Sequence, residues 1–144
     1  MSELDALQTT LEGEHAAVYV FAVLGARTSQ SASPELYAAL RDAYQAHRVR
    51  RDGLVSEIAQ LGAAPVAAAT AYDVPAGIET TDGIARAALS LESACATTYA
   101  SLVANTVGGR RARAVEALTN AAVRELAFRG TPEIFPGASE YADR

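Results

Sequence analysis

Apolar residues recur along this chain at alternating spacings of three and four, which is the repeat of helices that bury one face. Four long segments follow the pattern, and each ends at turn-forming residues such as Gly62 or Gly130. Ser33 and Pro34 stand where a helix N-cap and first turn are expected. The predicted helices extend from about 2 to 27, 34 to 61, 80 to 107 and 110 to 129.

The lengths of the connecting segments predict how these helices are arranged. About six residues join the first pair and only Gly108-Gly109 the last pair, so each pair is antiparallel. The middle connection, 62–80, has roughly 18 residues and can span about 60 Å, against about 39 Å for a helix of about 26 residues. It is therefore expected to run lengthwise and to leave the second and third helices parallel. This is the connectivity of an all-α, ferritin-like four-helix bundle.

The same pattern predicts one domain over residues 1–144. In the tail, residues 130–144, the apolar side chains of Ile134, Phe135 and Tyr141 are expected to dock on the bundle. On the fourth helix, the residues expected to face inward are Val115, Leu118, Ala122 and Leu126.

Composition narrows the function classes. Half of the residues are hydrophobic and a fifth are charged, which excludes a disordered chain. The single cysteine cannot form an internal disulfide, and a net charge of -5 argues against nucleic-acid partners. With neither a signal-peptide pattern nor a long apolar run, we expect a cytoplasmic protein without membrane contact. Flat, alanine-rich helix faces favour a homodimer.

One polar residue on the apolar stripe of each helix gives the candidate chemistry. These residues are Glu14, His47, Glu92 and Glu125. Such a set could hold iron or manganese, because carboxylates and imidazole are common ligands of both. Ferritin-like dinuclear sites, however, need two Glu and two Glu-x-x-His motifs, and Tyr44 and Phe128 occupy two of those positions.

An incomplete ligand set favours a structural interpretation, in which no cofactor and no catalytic residue is expected. Arginines beside the stripes, namely Arg48, Arg51 and Arg124, could neutralise the buried carboxylates. The predicted buried polar centre therefore comprises Glu14, His47, Glu92, Glu125, Arg51, Tyr19 and Tyr99. The corresponding function is a non-catalytic structural or interaction protein with a degenerate metal site. The alternatives are a metal-binding protein or metal-dependent oxidoreductase that uses Glu14, His47, Glu92 and Glu125, and a small-molecule-binding bundle with a cavity between alanine-rich helices.

Several short runs also resemble one family. They are Leu-Glu-Gly-Glu-His-Ala-Ala-Val-Tyr at 11–19, His-Arg-Val-Arg-Arg-Asp at 47–52, Ala-Tyr-Asp-Val-Pro at 71–75, Leu91-Glu92 and Thr98-Tyr99. Together they resemble the actinobacterial ferritin-like family DUF4439, whose function is unknown. The resemblance implies a ferritin-like four-helix fold and no particular activity. It also implies that Glu14, His47 and Glu92 match metal-ligand positions of ferritin-like oxygenases, while the other ligand positions are missing.

Overall fold

The computed structural model describes residues 1–129 and 135–137, and these form helices without any strand. The helices are α1 (Glu3–Ala26), α2 (Pro34–Gln60), α3 (Thr81–Asn105) and α4 (Gly108–Arg129). The four predicted helices and the all-α fold class are thus confirmed. One boundary differs, because Gly108 and Gly109 begin α4 instead of separating it from α3.

Local sequence accounts for the ends of the first two helices. The Ser2 hydroxyl accepts a hydrogen bond from the Asp5 backbone N–H at 3.1 Å, and the Asp5 carboxylate accepts one from the Ser2 backbone N–H at 3.2 Å. This capping box begins α1. Ser33 occupies the N-cap of α2 but makes no side-chain capping bond, so Pro34 is the start signal there. Gly62, with φ of 78°, ends α2.

The connection between α2 and α3 runs along α1. Successive α1 side chains contact successive residues of this crossover, in the pairs Gln8–Ala64, Gln8–Val66, His15–Val66 and Tyr19–Tyr72. The crossover ends with Ile78 buried in the core. Because the contacts advance in the same direction on both segments, the chain returns to the C-terminal end of α1 before α3 begins. The predicted lengthwise crossover, with α2 and α3 parallel, is confirmed.

The helices pack unequally around the bundle. α1 packs against both α2 and α3, and α3 packs against α4, whereas α2 and α4 contact each other much less. The core consists of two apolar clusters, one near each end of the bundle. Between them, Glu14 follows Leu11 of one cluster and precedes Ala17 of the other. The arrangement places polar side chains at mid-bundle and leaves α2 and α4 partly separated.

The register predicted for α4 was wrong for Val115 and Leu126, whereas Leu118 packs partly buried against the core as expected. The buried residues are Ala114, Ala117, Ala121 and Glu125. Val115 and Leu126, which were expected inside, are 47% and 40% exposed. The physical reason is the small size of alanine, which lets α4 approach α3 closely. Val115, Val123 and Leu126 therefore lie on the outer face of α4.

Of the tail that was expected to dock on the bundle, only residues 135–137 are described. There Gly137 lies against α3, and a Cβ at this position would come within 2.8 Å of the Ala96 carbonyl oxygen. The rest of the expectation, including Ile134 and Tyr141, falls outside the described residues. Among the described helices, none is both long enough and apolar enough to cross a membrane.

Candidate functional site

The candidate site is the buried polar centre around His47. Glu14 on α1, His47 on α2 and Glu92 on α3 are all at most 1% exposed. The His47 ring also stacks on Phe21, with ring centroids 5.2 Å apart. Three of the four predicted polar residues therefore meet at mid-bundle, each supplied by a different helix.

Both ring nitrogens of His47 are occupied by carboxylates. Nδ1 lies 2.7 Å from Glu14 Oε2, and Nε2 lies 3.2 Å from Glu92 Oε1. When both acids are ionised they can only accept, so each ring nitrogen then donates and both carry a proton. The geometry is therefore that of an imidazolium ion held between two carboxylates.

The electrostatics favour the same protonation state. Burial disfavours a charged ring, but the hydrogen bonds and negative charges of Glu14 and Glu92 outweigh it and raise the pKa of His47 above 6.5. Burial also opposes ionisation of Glu92. His47 and Arg124 nevertheless lower the pKa of Glu92 below 4.5. Near neutral pH, Glu92 is therefore a carboxylate facing a cationic ring.

Two arginines and a tyrosine complete the network. On one side, Tyr99 donates its hydroxyl proton to Glu14, and Arg50 Nη1 donates to the Tyr99 oxygen at 2.8 Å. Burial, followed by the charge of Glu14, raises the pKa of Tyr99 well above 10, so the hydroxyl stays a donor. On the other side, Arg124 Nε donates to Glu92 Oε1 at 2.6 Å. Each carboxylate thus lies between His47 and an arginine.

Two predicted members lie outside the centre. Tyr19 packs against Tyr72 of the crossover and is 37% exposed, because five positions beyond Glu14 it projects from another face of α1. Arg51 turns to its neighbour Asp52, with Nη2 2.7 Å from the carboxylate. The role expected of Arg51 is filled by Arg50 and Arg124.

The remaining predicted residue, Glu125, is 1% exposed on α4 next to Arg124. Sequence reasoning missed Arg50, although a signal was present. Arg50 stands three residues after His47, and this spacing places both side chains on one face of α2.

The centre does not fit a metal ion. Both ring nitrogens of His47 already face carboxylates, so a metal would have to displace one of these contacts together with a ring proton. Arg124 also occupies the same Glu92 oxygen, and Arg50 lies 3.9 Å from Glu14. Within residues 1–129 and 135–137, no group of three or more His, Cys, Asp or Glu side chains is arranged to hold a metal. The positive charge that a metal would place beside Glu14 and Glu92 comes instead from His47, Arg50 and Arg124.

The shifted pKa values predict how stability depends on pH. The raised pKa of His47 means that its contribution is complete below pH 6.5 and is lost as pH rises through the folded-state value. The lowered pKa of Glu92 means that its contribution is present above pH 4.5 and is lost as pH falls through the folded-state value. Urea unfolding at a series of pH values should therefore show a maximum between 4.5 and 6.5.

The second histidine provides the control for this pH profile. His15 contacts the Val66 carbonyl at 3.1 Å, away from the centre. A His15→Gln variant should still become less stable as pH rises above 6.5, whereas the stability of a His47→Gln variant should no longer fall there. Equal profiles for the two variants would contradict the assignment of this titration to His47.

Comparisons with known proteins show the family and the fold. The family model described as a domain of unknown function, DUF4439, matches residues 6–140. A solved structure, that of the conserved hypothetical protein rv2844 from Mycobacterium tuberculosis, is 27% identical and superposes with a TM-score of 0.81. The match covers 92% of this chain and 94% of that one. No curated protein matches the chain. The chain therefore belongs to the DUF4439 family, with the four-helix fold of its mycobacterial neighbour.

Proposed function

We propose that the protein is a non-catalytic structural or interaction protein, in which an internal ion network stands where a ferritin-like protein would hold metal. The observation that carries the proposal is that both ring nitrogens of His47 lie within hydrogen-bond distance of carboxylates, Nδ1 of Glu14 and Nε2 of Glu92, and that the charges of these carboxylates favour the doubly protonated ring. A ring in this state cannot coordinate a metal and cannot act as a base. The charged groups of the centre therefore serve to stabilise the structure.

The network would act by fixing the relative positions of the four helices. Glu14 belongs to α1, His47 to α2, Glu92 to α3 and Arg124 to α4. Because the apolar faces are rich in alanine, their surfaces are similar from one turn to the next. Apolar packing alone therefore distinguishes poorly between alternative helix registers. Buried hydrogen-bonded charges supply that distinction, since moving one helix by a turn would leave charges unpaired.

Metal analysis tests the proposal. Purified protein should contain well under about one iron or manganese per chain, and added metal should leave the melting temperature unchanged, because binding to the folded state alone would raise it. We also expect no iron-dependent oxidase activity. About one or two metal ions per chain, lost in Glu92→Ala and kept in the exposed control Glu116→Ala, would instead establish the metal-dependent alternative.

We also propose that the protein is a homodimer, as the sequence predicts. The outer face of α4 supports this, because Val115, Val123 and Leu126 are 47%, 63% and 40% exposed. Exposed apolar side chains on a single helix are typical of an interface between copies. Light scattering should give twice the chain mass at tens of micromolar protein, and Leu126→Glu should shift it toward the monomer. A monomeric parent protein would contradict the proposal.

A cytoplasmic location and a single domain over residues 1–144 remain predictions from the sequence.

A further inference from the structure

The partial separation of α2 and α4 opens a groove on the bundle. Its volume is about 540 Å³, within the range of roughly 300 to 1,000 Å³ that small-molecule sites occupy. The apolar wall consists of Leu7, Leu54, Leu102, Ala114 and Ala117. The small alanines of α4 keep this space open at the point where bundle helices normally interdigitate.

Charges at the two ends of the groove are compensated differently. At one end, Glu57 accepts hydrogen bonds from Arg110 at 2.7 Å and from Arg113 at 2.8 Å. At the other end, the groove reaches Arg50 and Arg124, whose side chains are only 18% and 16% exposed. The carboxylates behind these two arginines, Glu14 and Glu92, are already shared with His47. At the inner end His47, Arg50 and Arg124 exceed Glu14 and Glu92 by one positive charge, and Glu116 is a further carboxylate in the groove lining.

The two inner arginines have donors to spare. A guanidinium carries five N–H donors. Arg50 donates to Tyr99 through Nη1, and Arg124 donates to Glu92 through Nε. Arg124 Nη2 is buried without a hydrogen-bond partner among the described residues. Both guanidinium groups line the groove, so their remaining donors can hold an anion beside Arg50 and Arg124.

We infer that the groove between α2 and α4 binds a small amphipathic anion, with its carboxylate at Arg50 and Arg124 and its hydrocarbon chain along Leu54 and Leu102. The apolar wall matches the chain, and the inner arginines match the headgroup. This site does not depend on the proposed structural role of the centre, because the ligand contacts only the outward side of the two arginines.

A matched pair of glycines provides the variants for the test. Gly53 lines the groove, whereas Gly13 lies on α1 away from it. A Cβ at either position meets nothing within 4 Å, so both helices should accept a side chain. Gly53→Phe places a ring in the groove without altering the ion network. Gly13→Phe makes the same chemical change elsewhere and serves as the control.

The probes are octanoate, octanol and acetate, titrated into the full chain and followed by amide chemical shifts. Octanoate should bind with shifts centred on Gly53 and Ala117, and octanol should bind at least about tenfold more weakly because it lacks the charge. Acetate should not bind measurably, since it lacks the apolar chain. Gly53→Phe should abolish octanoate binding, and Gly13→Phe should leave it unchanged.

Three results would overturn the inference. Equal affinity for octanoate and octanol would show that the arginines do not select a charge. If octanoate at about 10 mM caused no chemical-shift changes, its affinity would be weaker than millimolar, and this class of ligand would be excluded. Octanoate binding that weakens as protein concentration rises, together with a dimer that Gly53→Phe dissociates, would show that a second copy occupies the groove.

Discussion

Replacing Glu14 with leucine is expected to lower the free energy of unfolding by about 3 to 5 kcal/mol, the usual consequence of breaking a buried ion pair. The change removes the acceptor of His47 Nδ1 and of the Tyr99 hydroxyl in one step. Both donors remain buried, at 0% and 1% exposure, so water cannot replace the lost carboxylate. Urea denaturation at pH 6, where the network is fully charged, measures the effect.

An exposed acid on the same helix serves as control. Glu12 precedes Glu14 by two positions and lies on the exposed side of α1. Glu12→Leu should change the free energy of unfolding by no more than about 0.5 kcal/mol. If the two variants were equally stable, Glu14 would not be an essential partner in a buried network.

Replacing the whole centre should have the opposite outcome from breaking it. A variant with Glu14, His47 and Glu92 changed to leucine, Tyr99 to phenylalanine, and Arg50 and Arg124 to methionine should unfold within about 1 kcal/mol of the parent, or be more stable by about 1 to 4 kcal/mol. The reason is that desolvation of buried charges offsets most of their attraction, and apolar side chains of similar size avoid it. Relative to Glu14→Leu, the combined variant should therefore regain several kcal/mol.

The same variant tests the role proposed for the network. If the charges fix helix register, the combined variant should keep its stability but lose structural uniqueness, seen as broadened amide signals and binding of a hydrophobic dye. A variant with sharp, well-dispersed signals would show that packing alone fixes the register. Stability no higher than that of Glu14→Leu would contradict the energetic argument itself.

The fold could be predicted because its signals are local and repeated. Pro34, Gly62 and the spacing of large apolar residues predicted the first three helices, and the length of 62–80 predicted the topology. α4 failed because its buried stripe is made of alanine. Since alanine is common on every face of this chain, its periodicity carries little information, and Val115 and Leu126 directed the prediction to the wrong face.

Of the buried polar centre, the three innermost residues could be predicted from the sequence, and the arginines that pair with them could not all be predicted. Glu14, His47 and Glu92 are polar residues on apolar stripes, and burial follows from helical spacing alone. The choice among neighbouring arginines depends on tertiary contacts. Arg50 and Arg51 are three and four positions after His47, so both share its face, and only the approach of Tyr99 determines that Arg50 joins the network.

The nitrogen NMR spectrum of the histidine rings tests the central claim most directly. The chain has only two histidines, and a His47→Gln variant assigns their signals. At pH 6, below the raised pKa of His47, both nitrogens of this ring should carry a bonded proton and give the matched shifts of an imidazolium. These signals should persist when iron or manganese is added. A His47 ring with one unprotonated nitrogen at pH 6, or one whose signals broaden or shift on metal addition, would contradict the account.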